Sequence, residues 1–295
     1  MGDVQSRFVG LPERRAVLKN FSRAVTTFDR SDFIHEQARN RMLDRTRFFT
    51  LEPCRILDMG SATGKGTVAL AALYPKAQIV SVDLIEVMAS ATQSRCRSLR
   101  HTTVLVGDAE QLPLSDNSVD LIFANMILPW CDPQLFFKES ARVLSDGGLM
   151  LFSTVGPDTL KEIRQAWAEV DKDVHVQGFI DMHDLGDLVV KAGLIEPVMD
   201  VDRFKISYNS KEQLFQDLRQ SGGTNSAFGR KLQLTGYNRW KKFCNQLEIS
   251  NSEEQLSISS ELIFGLAWGG GSASKIPKTD FSIPIEEITR ELPRR

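Results

Sequence analysis

Ile56-Leu57-Asp58-Met59-Gly60-Ser61-Ala62-Thr63-Gly64 is an apolar run that meets an acid and breaks into a glycine-bearing turn. The run is short and almost wholly apolar, which suits a parallel strand buried on both faces better than a helix. Gly60 and Gly64 allow backbone to approach a ligand where a Cβ would obstruct it, and Gly66 extends that freedom. The same spacing also serves tight strand–helix packing, so the turn by itself leaves both uses open.

The flanking sequence repeats the alternation. Residues 67–73 are predicted helical, 78–82 a strand and 87–100 a second helix. Residues 103–106, 119–124 and 149–154 supply three further apolar strands, and 135–144 a helix ended by the Asp146-Gly147-Gly148 turn. Five strands separated at βαβ spacing predict an α/β fold, a Rossmann-like doubly wound, mostly parallel sheet. Residues 1–50 are Arg-rich with Phe21, Val25, Phe28, Phe33 and Ile34 interspersed, and are expected to form an N-terminal helical cap. The core is expected to span 51–208, with a helical insertion at 156–193 near the site (helices at 158–170 and 182–192) and a strand at 198–208. Residues 209–268 should add helices and a strand at 257–268, and 269–295 a mobile tail.

Composition narrows the class. The 295 residues carry 42% hydrophobic and 25% charged side chains, the balance of a globular protein long enough for a sizeable core. Cys54, Cys96, Cys131 and Cys244 form no CxxC pair, and His35, His101, His175 and His183 are scattered, so no metal is expected. Arg7, Glu13, Arg14, Arg15, Lys19 and Arg23 interrupt the first thirty residues, and no later stretch reaches membrane-spanning length. A cytoplasmic address is expected. A net charge of −2 argues against a nucleic-acid partner. No pattern in the sequence sets an oligomeric state.

Three more features gather at the same sheet edge. Ile79-Val80-Ser81-Val82-Asp83 places a carboxylate at a strand end, where an acid accepts hydrogens from ribose hydroxyls. Asp108 follows the next strand, where it could receive an exocyclic amine, and Asn125 follows the one after, ahead of Met126-Ile127-Leu128-Pro129-Trp130. The GxGxxG cradle for a pyrophosphate is missing, which favours a nucleoside-like cofactor over a dinucleotide.

These residues resemble the class I S-adenosylmethionine-dependent methyltransferases, and the resemblance supplies the cofactor and its product, S-adenosylhomocysteine. It implies that Asp58, Gly60, Ala62 and Gly64 line the methionine moiety, Asp83 with Leu84 the ribose, and Asp108 with Ala109 the adenine, with Asn125 at the same edge. Ala62 stands where the family commonly has its middle glycine. A narrower resemblance runs from about residue 16 to 268. Gly107-Asp108-Ala109-Glu110-Gln111-Leu112-Pro113-Leu114, Phe152-Ser153-Thr154-Val155-Gly156-Pro157-Asp158-Thr159-Leu160, Asp181-Met182-His183-Asp184-Leu185-Gly186-Asp187 and Pro197-Val198-Met199-Asp200-Val201 look like the malonyl-carrier-protein O-methyltransferases of biotin synthesis.

That resemblance implies methyl transfer to the free carboxyl of a malonyl thioester on acyl carrier protein. A carboxylate is already nucleophilic at neutral pH, so alignment and desolvation are the main requirements. The substrate carboxylate is expected to meet a cation, for which Arg164 and Arg203 are candidates; Phe28, Asn125 and Trp130 are further positioning candidates. The acidic carrier is expected to dock on Arg230, Lys231, Arg239, Lys241 and Lys242, in a stretch from 225 to 245 without Asp or Glu. A solvated basic helix face accounts for the same pattern. The chain departs from the family at Phe28 (usually Tyr), at Gly178 in His175-Val176-Gln177-Gly178-Phe179 (usually Arg), and at Pro129 (usually Gln). Two alternatives stay open: a methyltransferase acting on another small or carrier-bound acid, and a non-catalytic assembly or interaction factor that keeps the fold.

Overall fold

The computed structural model describes residues 11–249 and 255–270. The start of the predicted cap, residues 1–10, and most of the predicted tail, 271–295, lie outside them. The chain begins with helices α1 (Arg14–Ala24) and α2 (Phe33–Arg45), each followed or preceded by a short 3-10 turn, which is the expected cap resolved into two pieces. The alternating core then runs β1 (Arg55–Met59), α3 (Lys65–Leu73), β2 (Gln78–Asp83), α4 (Glu86–Arg95), β3 (Thr102–Val106), β4 (Val119–Asn125), α5 (Pro133–Val143) and β5 (Leu144–Val155). After it come α6 (Lys161–Ala168), α7 (Met182–Lys191), β6 (Ile195–Tyr208), α8 (Lys211–Gln220), α9 (Tyr237–Ile249) and β7 (Leu256–Trp268).

All seven strands form one sheet in the order β3-β2-β1-β4-β5-β7-β6. β1 to β5 are parallel, and β7 pairs antiparallel with β5 on one side and β6 on the other. Successive side chains of a strand point to opposite faces, and each face has its own core. Leu57, Met59, Ile122 and Phe152 pack with α5 and α7, where Phe137 meets Phe152 at 5.2 Å between centroids. Ile56, Leu121, Phe123 and Leu151 pack on the opposite side with Ala38 and Met42 of α2 and Leu70 of α3. Strands buried on both faces explain why the sequence shows continuous apolar runs there and no alternation.

One predicted turn lies within the bounds of a strand. Asp146-Gly147-Gly148 does not close α5, which stops at Val143; β5 starts at Leu144 and passes through the glycines in an irregularity opposite Val119–Leu121. The Gly147 amide donates to Gly269 O and the Gly269 amide to Gly148 O, and Gly147 turns the chain there at φ +70°, the left-handed conformation that favours glycine. The order of the first five strands reverses direction between β1 and β4, which leaves a crevice at their carboxyl ends, the usual ligand position in open α/β sheets.

Candidate active site

A cavity of about 310 Å3 opens at that edge. Gly60, Asp83, Asp108 and Asn125, one from the end of each of four strands, line it together with Ala62, Leu84 and Ala109. Phe28 and Trp130 line it too, so nine of the residues singled out in the sequence meet in one place. Asp58 and Gly64 stand just behind: Asp58 faces a smaller adjoining cavity of about 30 Å3, and Gly64 caps α3.

Asp83 is held for its position. One carboxylate oxygen accepts from the Ala62 amide at 2.8 Å, the other from the Ile85 amide at 2.8 Å, and each keeps a lone pair for a further donor. Burial pushes its pKa up to about 6 against those two hydrogen bonds. Asp58 is likewise raised to about 6, by burial first and by the charge of Asp83, while Thr67 donates to it at 2.6 Å. The turn between them is tight. A Cβ on Gly60 (φ +77°) would lie 2.7 Å from Ile127 Cδ1, so this glycine is required by both conformation and space.

Ala62 also has φ +48°, a left-handed conformation that costs a non-glycine residue about 1–2 kcal/mol. Its amide bond to Asp83 and a 2.8 Å hydrogen bond from Thr92 Oγ1 to its carbonyl hold it there. Ala62 thus holds a left-handed turn with hydrogen bonds at both its amide and its carbonyl.

The roof comes from far away in sequence. Phe21 of α1 packs edge-on against Trp130 at 4.9 Å, and Val17, Phe21 and Phe28 cluster with Ile85 and Met88. Arg14 closes one end by a 2.5 Å ion pair with Asp108. The α1 entrance is stitched to residues 226–230, with the Phe228 amide donating to Leu11 O, the Glu13 amide to Ser226 O, and Arg230 paired with Glu13. Phe228 both lines the cavity and is 49% exposed, which sets this loop at the mouth. Leu232, Leu234 and Tyr237 continue it as exposed apolar residues.

At the other end, Asp29, Asp32, Lys65 and Arg95 clamp α2 over the glycine turn. Lys65 lies 2.8 Å from Asp32, Thr63 donates to Asp29 at 2.6 Å, and Arg95 pairs with Asp29. Asn125 spends its side chain on the scaffold: Nδ2 donates to His35 O at 3.0 Å and Oδ1 accepts from Ser153 at 2.8 Å. His35, Arg14 and Phe228 have no local sequence signal, because long-range packing brings them to the site.

Arg164 and Arg203 do not line the cavity. Arg164 donates to the carbonyls of Pro157 and Thr159, and Arg203 pairs with Glu261 at 2.5 Å. Among the five basic residues of 230–242, Arg230 is engaged by Glu13, Lys231 by Asp173, and Arg239 by Asp171 and Asp173; Lys241 and Lys242 are exposed on α9. Asp171, Asp173 and His175 come within metal-ligand distance of each other, with Arg239 and Lys231 balancing the carboxylates. Pro129 and Gly178, two of the departures from the family, line a single apolar cavity of about 30 Å3, beside which Gln177 donates to Pro129 O. Among the described residues no helix is long and apolar enough to cross a membrane.

Similarity to known proteins gives the class of the chain that carries this sheet and site: a methyltransferase. The family description "Methyltransferase domain" matches residues 57–152, which run from β1 to β5. The fold is similar to that of the YcgJ protein from Bacillus subtilis, with a TM-score of 0.58 at 18% identity over 80% of this chain and all of that one. The malonyl-[acyl-carrier protein] O-methyltransferase of Gallionella capsiferriformans is 37% identical, over 92% of this chain and 98% of its own. That of Coxiella burnetii, number 1 of its kind there, is 36% identical over 94% and 96%. The chain belongs to the malonyl-[acyl-carrier protein] O-methyltransferase family.

Proposed function

We propose that this protein transfers the methyl group of S-adenosylmethionine to the free carboxyl of a malonyl thioester carried on acyl carrier protein, making a masked primer for biotin synthesis. The observation that carries this reading is the convergence of four strand-end residues on one cavity in a chain that matches malonyl-carrier methyltransferases almost end to end.

The residues fit the cofactor. Asp83, with both oxygens oriented by backbone amides and one lone pair left on each, suits the two hydroxyls of a ribose. Asp108 and Ala109 offer an amine acceptor beside an apolar wall for the adenine, once Arg14 shares or yields Asp108. Asp58, Gly60, Ala62 and Gly64 form the turn for the amino-acid end. Bound there, the cofactor supplies an electrophilic methyl on a sulfonium. The chain's part is to bind, align and exclude water, which Phe21, Phe28 and Trp130 do as an aromatic roof. For the carrier, Phe228 and the exposed residues up to Tyr237, flanked by Lys241 and Lys242, offer an apolar and basic approach to the mouth.

Mass spectrometry of malonyl-carrier, acetyl-carrier and free malonate incubated with the protein and S-adenosylmethionine tests this. Methylation of malonyl-carrier in strong preference to free malonate is expected. Equal use of free malonate would replace the carrier reading with a small-acid one. No transfer despite tight cofactor binding would overturn the malonyl reading and leave a different acid substrate or an interaction factor.

A further inference from the structure

Among the described residues, the cavity offers no unpaired cation of the kind a carboxylate substrate was expected to meet. Arg14 is the one Lys or Arg among the described lining residues, and it is paired with Asp108 at the far end from Asn125. Behind the cavity, Arg39 and Lys65 are both turned to Asp32. At the Asn125 end stands a neutral group instead.

His35 lines both the main cavity and the smaller one. Burial pushes its pKa down to about 4, with Asp32 opposing and Arg39 reinforcing the shift, so the ring is uncharged at neutral pH. A neutral imidazole has one N–H and one lone pair. Nδ1 is buried without a partner. An unpartnered buried N–H costs more than an unpartnered lone pair, which assigns the proton to Nε2 of a ring that lines the cavity. Phe28 packs against the ring at 4.9 Å between centroids, and Asn125 ties the His35 backbone carbonyl to the end of β4.

We propose that His35 Nε2–H is the donor that receives the substrate carboxylate, so that the nucleophile is positioned by a neutral hydrogen bond and not by a guanidinium. This inference rests on the malonyl-carrier reading above and names the residue that reads its carboxyl group. The chemistry favours such a partner. The transfer forms one C–O bond and breaks one C–S bond, the C–S electron pair stays on sulfur, and no proton moves. A carboxylate and a sulfonium become an ester and a thioether, so charge disappears along the reaction and a water-poor, cation-poor site assists it. A guanidinium bound to both oxygens would stabilise the charge that must be lost, whereas one N–H fixes one oxygen and leaves the other free to attack.

The test compares the wild type with His35→Phe, which keeps a ring against Phe28, and His35→Gln, which keeps an N–H donor. With S-adenosylhomocysteine present, the wild type is expected to bind malonyl-carrier at least tenfold more tightly than its methyl-ester product. His35→Phe should lose that preference and 10- to 100-fold in kcat/KM for malonyl-carrier, with cofactor affinity by calorimetry within twofold of wild type. His35→Gln should recover most of both. An unchanged carboxyl preference in His35→Phe overturns the inference, as does a parallel loss of cofactor affinity, which would move His35 to the cofactor. A wild type that methylates no malonyl-carrier overturns the parent reading as well, and so is told apart from failure of the His35 role alone.

Discussion

Asp83 shows how one side chain can work against the fold and for the ligand. Its folded pKa of about 6 lies above the ordinary 3.8 because burial disfavours the charge. The folded protein therefore holds a proton that the unfolded chain releases between about pH 4 and pH 6. The stability this group contributes is complete below about pH 4 and is lost as pH rises through 6. In Asp83→Asn that dependence should vanish, reducing the stability difference between pH 5 and pH 8 by about 1–3 kcal/mol in urea unfolding of the cofactor-free protein. The ribose hydroxyls need the charged acceptor, so wild-type affinity for S-adenosylhomocysteine should fall as pH drops below 6, while the variant binds weakly at every pH. Identical pH profiles in the two proteins would remove Asp83 from the site. Gly60, Asp83, Asp108 and Asn125 were legible in the sequence because each follows or ends an apolar run, and strand ends of a parallel sheet share one edge; Asp58 came only with the family resemblance. His35 was not legible: only the packing of α2 against β4 and β5 gives it a place.

At the scale of elements, α9 divides its charges between two tasks. Arg239 is pinned to Asp171 and Asp173, whereas Lys241 and Lys242 face outward beside exposed Leu234 and Tyr237. Reversing Lys241 and Lys242 to Glu should raise KM for malonyl-carrier about tenfold and leave cofactor affinity and Tm unchanged. Arg239→Glu should lower Tm as well, since it sets a third acid against two. Equal carrier kinetics in the Lys241 and Lys242 variant would defeat docking at this face. The sequence showed this stretch to be free of acids, yet its partners arrive from residues 171 and 173 of another segment. The same limit explains the glycines of β5. Gly147 keeps the left-handed turn conformation, and pairing with Gly269, more than a hundred residues away, places that turn inside β5. The parallel strands needed no such partner to be recognised, since burial on both faces writes itself into composition.

For the molecule as a whole, β7 is the strand on which the others close. It is buried along nearly its whole length and lies between β5 and β6, pairing with both. A chain ending at residue 255 should give no cooperative unfolding transition and should aggregate, because an apolar edge of β5 is left open. A monomeric truncated protein that still bound cofactor would show the parallel half to be self-sufficient. The position of β7 also sets a timetable. β5 is complete at residue 155, β6 at 208 and β7 only at 268, so a ribosome adding about 5–20 residues per second leaves β5 without its neighbour for ~6–20 s. During that interval the strand that emerges first, β6, is the wrong one for the open edge, and the nascent sheet must keep it at a distance until the last strand arrives.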